Sequence, residues 1–222
     1  MIGRARESIK QAKDLVDQIG AKETFEFVVA RTVKRGRTRI ILIALTEPVP
    51  IPRAIEASAG HDFRFADLDE IRELQKDEEL QINDTNVEQV ERGMTRCLLQ
   101  MDGEELAGYT WVWTSKLAYI TDGFYLNLPD DTVYNYKGYT PEAYRGFGFQ
   151  AMRHHKVLEL LAPEGVSRLF GYVDHLNYKS RRGQAKSGYV PVGDLVIDRT
   201  RGDVRMSLRV DEDLWPGVAR TL

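Results

Sequence analysis

The sequence predicts an α/β domain in which helices flank a central mixed sheet of about seven mostly antiparallel strands. Segments in which apolar and polar residues alternate recur from residue 60 onward, as is typical of half-buried strands. Two segments between them begin with capping-box spacing, which marks the start of a helix. A strand at 132–139 also leads through a glycine-bearing turn directly into a helix with an apolar stripe.

Composition and charge restrict the class of protein. The chain has 222 residues, of which 42% are hydrophobic and 29% are charged, as in an ordinary globular protein. A formal charge of −3 argues against wholesale nucleic-acid binding. A run of five cations at 31–39 is interpreted as a solvated basic turn rather than a site for lipid or nucleic-acid phosphates.

Location is inferred from the lone cysteine and from the lack of long apolar runs. Cys97 cannot form an internal disulfide and is expected to be a buried structural thiol. No apolar run reaches membrane-spanning length, and the N-terminus lacks the apolar core of a signal peptide. A cytoplasmic protein without a membrane span is therefore expected.

Residues 1–50 are expected to form an extension before the main domain. Apolar residues recur at helical spacing over 4–19 and 24–34, and a short apolar strand follows at 39–46. The proline-rich segment 48–52 then ends the extension as a stiff linker. Because the helical stripes would otherwise expose apolar surface, we expect them to pack on the main domain or on a second copy of the chain. A homodimer therefore stays an open alternative.

The first half of the main domain is predicted as a strand, two helices and a hairpin. A short strand at 63–65 precedes helices that open at Asp67 and Thr85, each with a glutamate three residues later. Asp102-Gly103 is a hairpin-turn signal between an alternating strand and a return strand at 106–113 that is apolar on both faces. A long aromatic-rich segment without an assigned element follows.

The second half supplies the remaining elements. They are a strand at 132–139, a helix that ends near Pro163, a strand at 169–173, a helix at 177–187 capped by Asn177, and a closing hairpin of 190–198 and 204–210. The main domain thus spans 60–211, and residues 212–222 form a C-terminal tail.

The glycine turn YRGFGF at 144–149 has the features of a phosphate site. Unpaired N–H groups of such a turn point at an anion, and the start of the following helix adds partial positive charge. Gly146 and Gly148 would let the backbone approach a ligand closely, and Arg145 could add a cation with a planar fork. On its own, a G-x-G turn is more often only a turn.

A second motif favours the phosphate site over a plain turn. Asn177, Ser180, Gly188 and Tyr189 follow the turn at a spacing that resembles the GNAT (Gcn5-related N-acetyltransferase) superfamily. That family combines a pyrophosphate loop [QR]-x-x-G-x-[GA] with V-x-x-x-N-x-x-S-x-x-x-Y-x-x-x-G-[FY] about thirty residues later. The resemblance covers roughly residues 60–211.

The chain departs from the family pattern at two positions. With Arg145 as the first loop residue, Gln150 stands where a small residue belongs, and Gln184 stands where the family often has tyrosine. A register that begins at Ala143 restores the two loop glycines but loses the arginine.

The resemblance implies a GNAT-like fold and transfer of an acyl group from acyl-CoA, acetyl-CoA by default, to an amine acceptor that the sequence does not identify. An acyl carrier protein in place of free CoA stays open as the donor. The implied cofactor-binding residues are Tyr139 at the strand edge that pairs with the pantetheine arm, Arg145, Gly146, Phe147, Gly148 and Phe149 at the pyrophosphate, and Asn177 and Ser180 near the thioester.

Acyl transfer to an amine needs a base for the amine and a proton source for the leaving thiolate. Asp174 and His175 are the candidate bases, and the alternative is that they only turn the chain toward the Asn177 cap. Glu142 is a weaker candidate. Ser180, Tyr178 or water would have to replace the family tyrosine as acid, because the Gln184 amide does not release a proton usefully.

No spacing of histidine, cysteine or carboxylate residues suggests a metal site, and His61 stands alone at the start of a strand. His155 shares the apolar stripe of its helix and is expected to be buried and hydrogen-bonded. A pocket for the acceptor or the acyl group is expected among the aromatic residues Tyr119, Phe124, Tyr125, Tyr134, Tyr136 and Tyr139. The competing functional hypothesis is a GNAT-fold module that binds acyl-CoA as a sensor or scaffold without turnover.

Overall fold

A computed structural model describes residues 37–121, 124–200, 204–214 and 219–221. Both predicted N-terminal helices lie outside the described residues. The strands are β1 (Arg37–Leu45), β2 (Asp62–Phe65), β3 (Thr95–Asp102), β4 (Glu105–Trp113), β5 (Leu117–Thr121), β6 (Phe124–Asn127), β7 (Thr132–Tyr139), β8 (Arg168–Asp174), β9 (Val190–Asp198), β10 (Arg205–Val210) and β11 (Ala219–Thr221). The helices are α1 (Pro52–Ala57), α2 (Leu68–Leu74), α3 (Asp84–Glu91), α4 (Phe149–Leu161) and α5 (Tyr178–Lys186).

Eight strands form the main sheet, in the order β10-β9-β1-β8-β7-β4-β3-β2. The neighbouring pairs are antiparallel except β7 and β8, which are parallel. The predicted fold class is therefore confirmed, with one strand more than expected. A small second sheet of β11, β6 and β5 accounts for part of the aromatic segment to which the sequence assigned no element.

The additional strand of the main sheet is β1, which lies between β8 and β9. Its register joins Ile43 to Gly171 on one side and Ile40 to Leu195 on the other. Its apolar residues from 42 to 45 are buried, and the sheet supplies that burial. The strand that we assigned to the extension is thus part of the main sheet, and the division of the chain at residue 50 stays a prediction.

The helix caps test the local sequence signals directly. At α2 the capping box is present, because Glu70 N–H donates to Asp67 Oδ1 at 2.8 Å and Asp67 N–H donates to Glu70 Oε2 at 3.2 Å. At α3 the predicted cap at Thr85 is wrong, since Asn83 caps the helix with Asn86 as its reciprocal partner. Asparagine is the stronger N-cap, and the helix begins accordingly at Asp84.

The sheet separates two apolar layers through the alternation of its side chains. On β3, Leu98 faces α4 and packs with Val157 and Leu161, whereas Cys97 and Leu99 pack on the other face with α2 and α3. Burial raises the pKa of the Cys97 thiol, so this cysteine is the inert core residue that was predicted.

Strands β7 and β8 diverge soon after they begin. They pair only from Thr132 with Arg168 to Tyr134 with Phe170. Beyond these residues β7 continues beside β4, and β8 continues beside β1 as far as Asp174. The sheet therefore opens between the carboxyl ends of its two parallel strands, which is where open α/β sheets place ligands.

Candidate active site

The turn between β7 and α4 depends on two glycines with positive φ angles. Gly146 has φ 87° and Gly148 has φ 91°, a region that other residues rarely adopt. A Cβ on Gly146 would meet nothing within 4 Å, whereas a Cβ on Gly148 would lie 3.3 Å from Ile51 Cγ2 and 3.4 Å from Ala54 Cβ. Gly146 thus leaves open space beside the turn, and Gly148 lets α1 pack against it.

The N-terminus of α4 presents unpaired backbone donors. Met152 N–H donates to Gly148 O at 3.2 Å, so the N–H groups of Phe149, Gln150 and Ala151 precede the first bond of the helix. In the described chain no side chain caps this end. These amides and the helix dipole together favour an anion at the turn.

The turn is fixed in place by a buried arginine on α4. Arg153 donates to the carbonyl oxygen of Tyr139 at 3.1 Å and to Thr140 Oγ1 at 2.6 Å. Another contact, to Gln100 Oε1 at 2.9 Å, ties it to β3. Desolvation lowers its pKa to about 10, which leaves the guanidinium charged at neutral pH. A Cβ on Gly108 would lie 2.5 Å from Arg153 Nη1 and 2.6 Å from the backbone oxygen of Tyr139, so glycine is required there.

A cavity of about 740 Å³ lies between this turn, α4 and α5. It brings together Gly146, Phe147 and Gly148 from the loop motif with Asn177 and Ser180 from the second motif. Its volume is within the range of ligand pockets. The two motifs that the sequence places about thirty residues apart thus line one cavity.

The cavity is electropositive. Arg53, Lys179 and Lys186 line it, and no carboxylate does so among the described residues. The Arg53 guanidinium also lies 4.9 Å from the ring centroid of Phe147, which is close enough for a cation–π contact. An anionic ligand would find three cations and the amides of the turn on its walls.

Sequence reasoning missed one wall of this cavity. Residues 50–53 line it, although 48–52 were interpreted as a linker. They are held by contacts with the end of α5: Val49 N–H donates to Ser187 O at 3.3 Å, and Gly188, at φ 99°, lies against Glu47. These contacts join distant parts of the sequence, and the only available signal was the position of Gly188 in the second motif.

Helix α5 supplies the opposite wall, and its start is the predicted one. Asn177 Oδ1 accepts from Ser180 N–H at 3.0 Å, which confirms Asn177 as the cap. Ser180 and Gln184 lie four residues apart on α5 and both line the cavity. Gln184, which stands where the resembled family often has tyrosine, therefore lines the cavity with an amide side chain.

Other residues predicted at the donor site lie at its margin or beneath it. Arg145 is exposed, its Nε donates to Thr140 O at 3.0 Å, and it does not line the cavity. Phe149 is buried and stacks on Phe147 at 5.5 Å between ring centroids. Tyr139 stacks on Tyr109 at 5.6 Å, on the far side of the sheet from α4.

The candidate bases lie beyond the end of β8. Asp174 Oδ1 accepts from Leu176 N–H at 2.8 Å, and His175 N–H donates to Arg39 O at 3.0 Å. His175 lines a different, smaller cavity with Arg37 and Arg39. Neither residue lines the cavity between α4 and α5, and their catalytic roles stay predictions.

A histidine that the sequence did not place in the core lies under the cavity. His154 is 1% exposed, with Nε2 at 2.8 Å from Asn135 Nδ2 and Nδ1 at 3.2 Å from Tyr189 Oη. Desolvation, with a smaller contribution from Arg153, lowers its pKa to about 3, so the ring is neutral. As the Asn135 amide is placed, Nε2 accepts and Nδ1–H donates to the tyrosine.

His155, which was expected to be the buried histidine, is only half-buried. Its Nε2 lies 3.2 Å from Ser187 O, so the predicted hydrogen bond is present, and burial lowers its pKa. The apolar stripe of α4 is wide enough to include both positions, and the packing of the helix against β7 places His154 innermost.

An aromatic cavity of about 550 Å³ lies on the opposite face of the sheet. Tyr119, Tyr125, Tyr134 and Tyr136 line it, as expected, and Trp113 and Tyr172 join them. Phe124 is instead a core residue, and Tyr139 packs elsewhere.

In the part of the chain that the structure describes, no helix is long and apolar enough to span a membrane.

No family model matches the sequence, and no curated protein matches it. Solved structures do resemble the fold. An acetyltransferase of the GNAT family from Colwellia psychrerythraea is 10% identical, with a TM-score of 0.49, over 72% of this chain and 55% of that one. This chain thus spans about half the length of that protein.

Two further structures show the same range of similarity. A GCN5-related N-acetyltransferase-like protein from Streptococcus suis 89/1591 is 12% identical, with a TM-score of 0.47, over 84% of this chain and 68% of that one. An aminoglycoside acetyltransferase from an uncultured soil metagenomic sample is 9% identical, with a TM-score of 0.44, over 60% and 89%. At such identities the similarity concerns the fold alone.

Proposed function

We propose that the protein is an acyltransferase that moves an acyl group, acetyl by default, from a CoA thioester to an amine nitrogen. The observation that carries the proposal is the cavity between α4 and α5. It combines the unpaired amides at the start of α4, three cations and residues of both sequence motifs.

The donor's pyrophosphate fits the turn. Gly146 leaves the space beside its backbone empty, and the first amides of α4 point out of the helix. Arg53, Lys179 and Lys186 offset the negative charge of the ligand. The absence of any carboxylate from the described lining is what a polyanionic ligand needs.

The reaction forms one bond and breaks one. The neutral amine nitrogen attacks the thioester carbonyl carbon, the C–S bond breaks, and the sulfur leaves as a thiolate. The nitrogen then loses one proton and the sulfur gains one, so the products are an amide and free CoA. A thiol has a pKa of about 8.5 and an alkyl ammonium of about 10.4, so deprotonation of the amine is the more demanding step at neutral pH.

Ser180 is the proposed proton carrier on the cavity wall, because its hydroxyl can both donate and accept. Gln184, beside it, can donate a hydrogen bond to the sulfur without releasing a proton. Asp174 and His175 contact the turn before α5 and Arg39, so they are less suited than Ser180. Their participation is a separate hypothesis that the pH dependence of turnover of a His175→Ala variant would test.

A second candidate is a module that binds acyl-CoA without turnover. The observation that favours it is the state of His154, the only histidine that lines the cavity among the described residues. Both of its ring nitrogens are engaged, and its pKa of about 3 leaves it neutral. No general base with a pKa near 7 therefore lines this cavity in the described chain.

Calorimetric titration of the full chain with CoA and acetyl-CoA, together with thiol release in the presence of an amine panel, tests both candidates. We expect both ligands to bind and thiol release to require an amine. Binding without thiol release from any amine would favour the module. If neither CoA nor any acyl-CoA binds, the assigned cavity is wrong.

A further inference from the structure

We infer that the aromatic cavity binds the acceptor, and that the acceptor is a monoamine attached to an aromatic or apolar group rather than a polycation. This inference rests on the proposed function. It names the substrate class of the acceptor. Neither the motifs nor the cavity between α4 and α5, called the donor cavity because the proposal assigns the acyl donor to it, specifies that class.

The composition of the cavity carries the first step. Aliphatic residues and the neutral Gln89 and Ser115 line it together with six aromatic residues, which are Trp113, Tyr119, Tyr125, Tyr134, Tyr136 and Tyr172. No charged side chain is among its described lining residues, in contrast to the three cations of the donor cavity. Such walls favour rings and alkyl groups and offer no counterion for several ammonium groups.

The rings come from two separate sheets. Tyr119 on β5 and Tyr125 on β6 meet edge to face at 5.4 Å between centroids, and Tyr119 is 47% exposed. On the main sheet, Tyr134 of β7 stacks against Tyr172 of β8 at 6.0 Å. A planar group inside the cavity would therefore have aromatic faces and edges on both sides, which is the arrangement that aromatic pairs prefer.

The position of the cavity carries the second step. Tyr134 and Tyr136 lie on β7 and Tyr172 lies on β8, so the rings flank the place where these strands separate. They occupy the face opposite α4, because Val133 and Asn135 point toward that helix. A thioester that enters from the α4 side and an amine seated among the rings would meet at the opening.

The polar groups of the aromatic cavity are neutral, and one of them lacks a hydrogen-bond partner in the described chain. Trp113 Nε1 is buried and has no hydrogen-bond partner in the described chain, so an oxygen atom of a ligand or of water would satisfy it. Burial raises the pKa of Tyr134 and Tyr136, which keeps both phenols uncharged. Without a carboxylate, desolvation favours the neutral form of a bound amine, which is the nucleophilic form.

The test compares 2-phenylethylamine with spermine as acceptors for acetyl-CoA, by calorimetric binding and by thiol release. We expect 2-phenylethylamine to bind saturably and to release thiol with a lower KM than spermine. Tyr119→Ser and Leu117→Ser should each raise that KM about tenfold, through loss of a ring or side-chain contact at the rim, with little change in acetyl-CoA affinity. Leu117 is 38% exposed, so its replacement should not prevent folding.

Leu160→Ser on α4 is the matched control, because Leu160 is 37% exposed and lies outside the cavity. It should leave the KM unchanged. A lower KM for spermine, an equal effect of all three variants, or no amine binding would overturn the inference. Saturable 2-phenylethylamine binding that Leu117→Ser weakens, without any binding of CoA, would uphold the aromatic site and refute the proposed acyl transfer.

Discussion

The backbone of Gly188 lies so close to Glu47 that a Cβ at Gly188 would be 2.5 Å from the carbonyl oxygen of Glu47. This contact joins the end of α5 to the segment that leads into α1 and supplies one wall of the donor cavity. Gly188 is thus a motif residue whose structural role is to admit a distant backbone segment.

Gly188→Ala should therefore disturb both stability and ligand binding. A left-handed φ costs alanine about 1–2 kcal/mol, and displacement of the Glu47 segment adds to that cost. Gly165→Ala is the control, because Gly165 has φ 87° and a Cβ there would meet nothing within 4 Å. Urea unfolding should show a larger decrease in the free energy of unfolding for Gly188→Ala than for Gly165→Ala. Only Gly188→Ala should bind CoA more weakly. Equal losses in the two variants would mean that the contact with Glu47 is dispensable.

Gly148→Val should be the most damaging change in the turn. A β-branched residue at φ 91° is strained, and its side chain would press on Ile51 and Ala54. We expect a lower free energy of unfolding and a Kd for CoA that is about a hundredfold higher in calorimetry. Each tenfold rise in the Kd corresponds to a loss of about 1.4 kcal/mol of binding free energy. Gly146→Ala should instead weaken binding with no more loss of stability than Gly165→Ala, because its Cβ enters open space. A Gly148→Val protein that folds and binds CoA normally would contradict the site.

The sequence predicted the elements that depend on neighbouring residues. Strand β7 begins and ends at the predicted residues, and the capping box at Asp67 is formed. The place of β1 could not be predicted in this way, because its partners on β8 and β9 lie more than a hundred residues away. Its pattern marked a strand, but non-local pairing decided which sheet it joined.

In the candidate site too, features that depend on neighbouring residues were predicted, and features that depend on distant contacts were not. The glycine turn and the Asn177 cap were local signals, and both lie at the predicted positions. Arg53 carried no signal, since its place on the cavity wall follows from the contacts of Gly148 and Gly188 with the preceding segment. The β5–β6 hairpin was missed although Leu117–Thr121 alternates, because the aromatic segment around it obscured the period.

Charge at the donor cavity gives a salt-dependent prediction. Arg53→Ala should weaken CoA binding severalfold at low ionic strength and reduce the dependence of the Kd on salt, because Arg53 lines the cavity. Arg145→Ala is the matched control: Arg145 is exposed and does not line the cavity, so a screened and smaller effect is expected. Calorimetry at several salt concentrations measures both. A larger effect of Arg145→Ala would assign the phosphates to the outer side of the turn.

His154 makes the stability of the protein depend on pH. Its folded pKa of about 3 lies below the unfolded value of about 6.5, so the unfolded chain binds an additional proton between these values. The free energy of unfolding should therefore fall as the pH drops below about 6.5. His154→Gln should remove about 1.4 kcal/mol per pH unit of this slope between pH 5 and 6, measured by urea unfolding. An identical slope in wild type and variant would show that the ring is protonated in the folded protein.

The last prediction concerns the proton that the leaving sulfur must gain. Gln184 lines the donor cavity one helical turn after Ser180, and its amide cannot release a proton to a thiolate of pKa about 8.5. Gln184→Tyr should leave the affinity for acetyl-CoA within about twofold and raise kcat severalfold, since a phenol can both donate and release its proton. Gln184→Phe is the control, with a ring of the same shape and no hydroxyl. An equal gain in both variants would assign the effect to packing, and no gain in either would mean that proton delivery at this position does not limit turnover.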